Sequence, residues 1–207
     1  DGTPSAASLQ TGVLTSFGSD VPPLEGSRIL ALSSGHARVP GQAGACETES
    51  CGSQPGVVPP AGFPQDVPNC EGADNINDDI GLEVRMKAPS NATGFRYRFR
   101  FYSYEFPEYV CTSFNDQYIA LVNPPPAGAI NGNISFDSAT NPVSVNIAYF
   151  DVCSSCQPWA QFCTIDPFAS CPPVPSPCCP AGPAGLVGTG FDASAAGAGG
   201  TTWLETQ

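Results

Sequence analysis

Positive charge is scarce in this sequence: seven Lys and Arg stand against 19 Asp and Glu, leaving a formal net charge of −12. A surface of that sign repels phosphate backbones and anionic lipid, which excludes nucleic-acid binding and disfavours docking on a membrane. Long apolar runs are missing too. No stretch approaches the roughly 18–20 residues needed to span a bilayer, so membrane insertion is not expected. There is a single histidine, His36, which leaves few general-base schemes. It follows Ser33 and Ser34 in Ser33-Ser-Gly-His-Ala-Arg38, but no Gly-x-Ser-x-Gly elbow or oxyanion loop accompanies it, and an exposed turn histidine is the expectation. No glycine-rich loop leads into an amphipathic helix, so phosphate cradling is absent as well. Repeats of 20–50 residues are also absent, which removes solenoids and propellers.

What is abundant points the other way. Gly 22 and Pro 23 in 207 residues make a helical bundle very hard to build. The 41% hydrophobic content, with 12 Phe, 6 Tyr and 2 Trp, is sufficient for a core. The length is that of one domain, residues 1–207, carrying Cys/Gly/Pro-rich insertions at about 40–77 and 153–183. The beginning, Asp1-Gly-Thr-Pro, reads as a mature end left by processing.

Ten cysteines are more than a reduced cytosolic protein usually carries. Cys153-Ser-Ser-Cys156 has the spacing of half a zinc ribbon, but Cys163, Cys171 and the vicinal Cys178-Cys179 do not supply the second half, and no histidine is near. Neither does a strand-then-helix context support a thioredoxin-like site. Disulfides in an oxidising, extracellular compartment are the expectation for all ten: Cys46, Cys51, Cys70, Cys111, Cys153, Cys156, Cys163, Cys171, Cys178 and Cys179. Ten cysteines allow on the order of a thousand pairings, so the expectation extends only to Cys153–Cys179 pairing mostly among themselves.

Strand periodicity is clearest in Phe95-Arg-Tyr-Arg-Phe-Arg-Phe101, where alternation places every ring on one face and Arg96, Arg98 and Arg100 on the other. Further short strands are predicted at Thr11–Phe17, Ser27–Ser33, Gly81–Ala88, Asp116–Val122, Asn133–Phe136, Pro142–Phe150 and Thr201–Gln207, separated by Asn, Gly and Pro turns. The tail from Gly185 to that last strand reads as flexible Gly/Ala sequence. The predicted class is all-β: an antiparallel, jelly-roll-like sandwich with long disulfide-tied Gly/Pro-rich loops.

Three groups of side chains are candidates for chemistry. Glu105, Glu108 and Asp116 lie within twelve residues among aromatics. Two carboxylates can hydrolyse a glycosidic bond when held across a groove, or, with Asn115, they can offer hard oxygen ligands to structural calcium; the plain alternative is a surface turn. The metal assignment rests on Glu105, Asn115 and Asp116. The Arg96, Arg98, Arg100 row forms a ladder that can face an anionic glycan or pair with acids such as Glu83. Sequons at Asn91 and Asn133 stay unassigned.

The run Phe101-Tyr-Ser-Tyr-Glu-Phe-Pro-Glu-Tyr-Val-Cys-Thr-Ser-Phe-Asn-Asp-Gln-Tyr-Ile-Ala-Leu-Val122, followed by Gly132-Asn-Ile-Ser-Phe-Asp137 and Asn141-Pro-Val-Ser-Val-Asn146, resembles the choice-of-anchor L family of secreted bacterial proteins. Gly26-Ser-Arg-Ile-Leu-Ala-Leu-Ser-Ser-Gly35, Gly188-Thr-Gly-Phe-Asp192 and Thr202-Trp-Leu-Glu-Thr206 are similar to longer, myxobacterial-type members. The resemblance implies a secreted or surface-displayed β-sandwich with no established catalytic activity, and it puts Glu105 and Asp116 on acidic motif positions. It also implies late strands beyond Gln207, hence an open sheet edge. The resulting expectation is a non-enzymatic structural subunit of an extracellular filament, surface layer or matrix. Such a subunit polymerises with itself by edge pairing or by strand donation from a terminal segment or a separate chain. The alternative is a monomeric carbohydrate-binding or adhesive domain that engages extracellular polysaccharide.

Overall fold

The structure, a computed structural model, describes residues 9–46, 51, 56–59, 61–72, 75–107, 109–146, 150–153, 179–193 and 198–206. Among them there is no α-helix, only strands and two short 3₁₀ turns at Ala184–Leu186 and Phe191–Ala193. Strand β1 (Thr11–Leu14) pairs with β2 (Ile29–Leu32); β3 (Tyr97–Phe99) pairs with β9 (Leu204–Thr206). Strand β4 (Tyr102–Ser103) and β7 (Val152–Cys153) flank β8 (Gly199–Gly200), and β5 (Gln117–Tyr118) pairs with β6 (Val143–Ser144). Every pairing is antiparallel, as expected for a chain whose short strands are separated by Gly, Pro and Asn turns. Among the described residues the strands form small sheets of two or three members. No helix among the described residues is long and apolar enough to cross a membrane.

The alternation in Phe95–Phe101 does what period two requires. Tyr97, Arg98 and Phe99 sit opposite Thr206, Glu205 and Leu204, so the rings share one face with Leu204 and Thr206 while Arg98 and Glu205 share the other. The rings of Phe95, Tyr97 and Phe99 follow one another at 6.4 and 5.9 Å between centroids. Phe99 then stacks on Tyr118 at 4.0 Å, joining the β3 sheet to the β5 sheet.

The core lies under the β4–β8–β7 sheet. Phe106, Val145, Phe150, Cys153 and Cys179 are buried together, with Phe101 and Val110 packed against them. Phe106 and Phe150 stack at 4.5 Å. Their rings pass so close to Gly199 that a Cβ there would meet the Phe106 ring and come within 2.7 Å of Phe150, and a Cβ on Gly200 would meet Tyr102 at 2.6 Å. The Gly-Gly pair is a strand because the aromatic rings need its missing side chains, which is why a reading that treats Gly/Ala sequence as flexible passes over β8. A second aromatic group, Phe17, Tyr102, Tyr104 and Phe191, ties the segment after β1 to the tail, and Ser19 N–H donates to the Val187 carbonyl at 3.0 Å.

Gly81–Ala88 forms no strand. All of residues 81–94 are exposed, and no main-chain hydrogen bond holds Gly81–Ala88 to other described residues. Alternation gives a segment the faces of a strand, but a strand also needs a neighbouring edge. Strand β7 falls at the start of the predicted Cys-rich insertion and was not foreseen.

Disulfides join Cys46 to Cys51, Cys70 to Cys111 and Cys153 to Cys179. The last pair lies inside the group expected to bond among itself, while Cys156, Cys163, Cys171 and Cys178 lie outside the described residues. Three disulfides place the chain in an oxidising, non-cytoplasmic environment.

Candidate functional site

Strand β4 delivers Ser103 to the sheet end, the chain turns through Glu105, and Asp116 enters β5 from the other side. Three hydrogen bonds interlock these residues. The Ser103 hydroxyl donates to Asp116 Oδ2 at 2.6 Å and accepts the Glu105 N–H at 2.9 Å, while the Asp116 N–H donates to Glu105 Oε2 at 3.0 Å. The two carboxylates named from sequence are therefore brought together, with Ser103 as the hinge between them. Ser103 is 2% exposed and belongs to the Tyr102-Ser-Tyr-Glu105 motif. That motif was its only signal, and no role was read from it.

Burial pushes the Glu105 carboxyl up to about 7, helped by the negative charge of Asp116 and opposed by the Asp116 N–H. The Asp116 carboxyl is raised by burial as well, against the Ser103 hydroxyl, with the charge of Asp78 adding to the rise. Asn115 Oδ1 faces another way: it accepts the Asn146 N–H at 3.2 Å, and Asn146 Oδ1 in turn accepts the Cys111 N–H at 2.7 Å. As a ligand set, Glu105 and Asp116 each retain one carboxylate oxygen outside these bonds, whereas the Asn115 oxygen is committed to the Asn146 N–H, two residues past β6. Among the described residues no group of three His, Cys, Asp or Glu is arranged to hold a metal ion. Glu108 lies outside the described residues.

The arginine row is engaged within the chain. Arg98 Nε donates to Glu205 Oε2 at 2.7 Å, and Arg96 approaches Glu205 Oε1 at 3.7 Å. Arg100 Nε donates to the Thr201 carbonyl at 2.6 Å and its guanidinium lies 5.3 Å from the Tyr102 ring centroid. The acid that serves this row is Glu205 across the sheet, while Glu83 pairs with Arg85. Arg96 and Phe95 remain well exposed.

His36 is a turn residue: its Nδ1–H donates to the Gly44 carbonyl at 2.7 Å, and the Ser33 hydroxyl accepts the Gly35 N–H at 3.1 Å. Asn133 is fully buried. Its Oδ1 accepts the N–H groups of Ala120 and Ser135 at 3.1 and 3.0 Å, and its Nδ2 donates to Gln65 Oε1 at 2.8 Å and to the Ser135 carbonyl at 3.1 Å. A sequon whose asparagine is enclosed in this way is structural in the folded chain.

The remaining open feature is the β1–β2 sheet. Cross-strand pairing places Val13 with Leu30 and Thr11 with Leu32, and all four side chains are exposed. Beside them lies a shallow depression of about 340 Å³ lined by Val13, Leu14, Leu30, Arg38 and Gln42. Leu14, on the opposite face, is buried at 3%. Comparison with protein-family models, with curated proteins and with solved structures finds no match for this chain.

Proposed function

We propose that this chain is a secreted, sandwich-type structural subunit of an extracellular bacterial filament, surface layer or matrix, without catalytic activity, that assembles with copies of itself through β-strand contacts. The observation that carries this reading is the β1–β2 sheet: two strands with exposed Val13, Leu30 and Leu32 on one face and no further strand at either edge among the described residues. A short open sheet with an apolar face is a template for pairing, and a soluble monomer usually covers or charges such an edge. The disulfides and the resemblance to the choice-of-anchor L family support export. The internal pairing of Arg98 and Arg96 with Glu205 favours self-assembly over the alternative of a glycan-binding or adhesive monomer. Strands β8 and β9 pair within their own chain, so the assembly contact does not use them as donors.

Structural calcium at Glu105 and Asp116 forms part of the same reading. Two neighbouring acids with raised proton affinity have a carboxylate oxygen each to offer a hard cation, and backbone carbonyls complete such shells. The deciding experiment is particle size of native material by electron microscopy and sedimentation. Polymers are expected, and a species of 21.4 kDa at every concentration overturns the reading.

A further inference from the structure

Building on the self-assembly reading, we infer that Gly81–Ala88 of one copy adds as a third strand to the outer edge of β2 in the next copy.

The donor segment has strand character with no strand partner. Leu82, Val84 and Met86 are 55, 61 and 68% exposed and alternate in sequence with Glu83, Arg85 and Lys87, the pattern that puts all three on one face when the segment is a strand. The acceptor has the reverse deficit. In the β1–β2 ladder the Ser33 N–H donates to the Gln10 carbonyl at 3.0 Å, which marks 10/33 as a hydrogen-bonded pair, so by alternation 12/31 and 14/29 are the others. The main-chain groups of Leu30 and Leu32 therefore point outward from β2, where no strand meets them among the described residues. The opposite edge is covered: the Ala37 N–H donates to the Leu9 carbonyl at 2.7 Å and Arg38 donates to the Thr11 carbonyl at 2.7 Å. Among the described residues the β1 edge is thus occupied at Leu9 and Thr11, and the β2 edge is the more open one.

Side-chain parity fixes the register to alternate positions. Apolar contact requires Leu82, Val84 and Met86 to share the face of Val13, Leu30 and Leu32, and a slip by one residue would place Glu83 and Arg85 there instead. Charge fixes both the occupant and the direction. Residues 85–100 hold five of the seven basic side chains and no acid, while two basic residues stand against all 19 acids in the rest of the chain. Arg85, Arg96, Arg98 and Arg100 are engaged within the chain, which leaves Lys87 as the cation that the acidic remainder of another copy can serve. Lys87 has no ion pair among the described residues, and the segment that precedes β2 carries two acids, Asp20 and Glu25, against one cation, Arg28. An antiparallel arrangement brings Lys87 to that segment, whereas a parallel one carries it to Ser33–Gly35. Donor and acceptor are different surfaces of one chain, so the contact is head-to-tail and generates an open polymer unless the rotation closes a ring.

The test uses Val84→Glu and Leu32→Glu, both at exposed positions, in the oxidised full chain. Each variant alone is expected to sediment as a monomer under conditions where the unsubstituted chain polymerises. A 1:1 mixture is expected to stop at dimers, because the intact donor of Leu32→Glu meets the intact acceptor of Val84→Glu. Circular dichroism and a free-thiol count matching the unsubstituted chain certify folding, and Met86→Glu repeats the donor arm. Polymerisation of either folded variant as before overturns this contact while leaving self-assembly in place. Monomeric variants whose mixture yields no dimer overturn the head-to-tail pairing. A monomeric unsubstituted chain at all concentrations overturns the self-assembly reading, and this contact with it.

Discussion

Replacing Glu105 with Gln is expected to stabilise the protein above neutral pH and leave it unchanged in acid. The folded carboxyl holds its proton to about 7, against an ordinary value of 4.5. Below 4.5 both folded and unfolded chains are protonated there and the group is neutral in the comparison. As pH rises from 4.5 towards 7, the unfolded chain releases the proton while the folded chain keeps it, so stability falls across that window and levels off above it. At 1.36 kcal/mol per pH unit, the ceiling on the loss is about 3 kcal/mol, and solvent reaching the partly exposed side chain reduces it to about 2. Asp116 contributes in the same direction. Glu105→Gln keeps an oxygen for the Asp116 N–H and removes the charge. In urea titrations at pH 4, 6 and 8, with an m-value of about 2 kcal/mol/M, the variant midpoint should exceed the parent's by roughly 1 M at pH 8 and match it at pH 4. The other acids are common to both proteins, so the difference reads Glu105 together with its charge coupling to Asp116. If calcium occupies the site, millimolar calcium at pH 8 raises the parent midpoint and leaves the variant where it was. A parent midpoint that stays level or climbs between pH 5 and 8 refutes the reasoning.

Replacing Cys70 and Cys111 together by Ser opens a loop of 41 residues' separation and is expected to cost about 4 kcal/mol by the chain-entropy relation, read as a lower melting temperature in non-reducing buffer. Gly199→Ala inserts a methyl into the Phe106 and Phe150 rings and should cost about 1–3 kcal/mol in urea titration; an unchanged midpoint would mean that Gly199 is not under those rings. Asn133→Ala strips partners from the buried Ser135 N–H and the half-buried Ala120 N–H and should cost on the order of 3 kcal/mol, whereas Asn91→Ala at an exposed sequon should be silent by the same measurement.

Apolar stretches bounded by turn residues made β1 and β2 readable, and strict side-chain alternation made β3 readable, because its rings lie against protein while Arg98 faces water. Alternation misled at Gly81–Ala88, since a hydrophobic period records which face can be buried and carries no information about whether a partner edge is present. Strand β8 has no side chains to alternate; its identity resides in the rings of Phe106, Phe150 and Tyr102, each remote from it in sequence. The acidic site was half legible. Glu105 and Asp116 stood out as acids among aromatics, but Ser103, which joins them, is one small hydroxyl among many, and the commitment of Asn115 to Asn146 depends on where β6 lies. Pairing of the arginine row with an acid was one of the two readings the sequence allowed, with Glu83 named as an example. Its acid, Glu205, is 107 residues from Arg98, a distance over which only the β3–β9 register can decide.

The Cys70–Cys111 bond also has a mechanical meaning. Val84 sits inside the ring this disulfide closes, 14 residues from Cys70 and 27 from Cys111. Tension applied at Val84 draws both arms towards the bond, and the shorter arm becomes taut after roughly 50 Å of extended chain. On the other side the chain reaches β3 at Tyr97 after 13 residues, so that path tightens at a similar extension. A pull on the exposed segment therefore divides between a covalent bond on one side and the β3–β9 pairing on the other, and if that pairing parts, the disulfide still caps how far the segment can be drawn out.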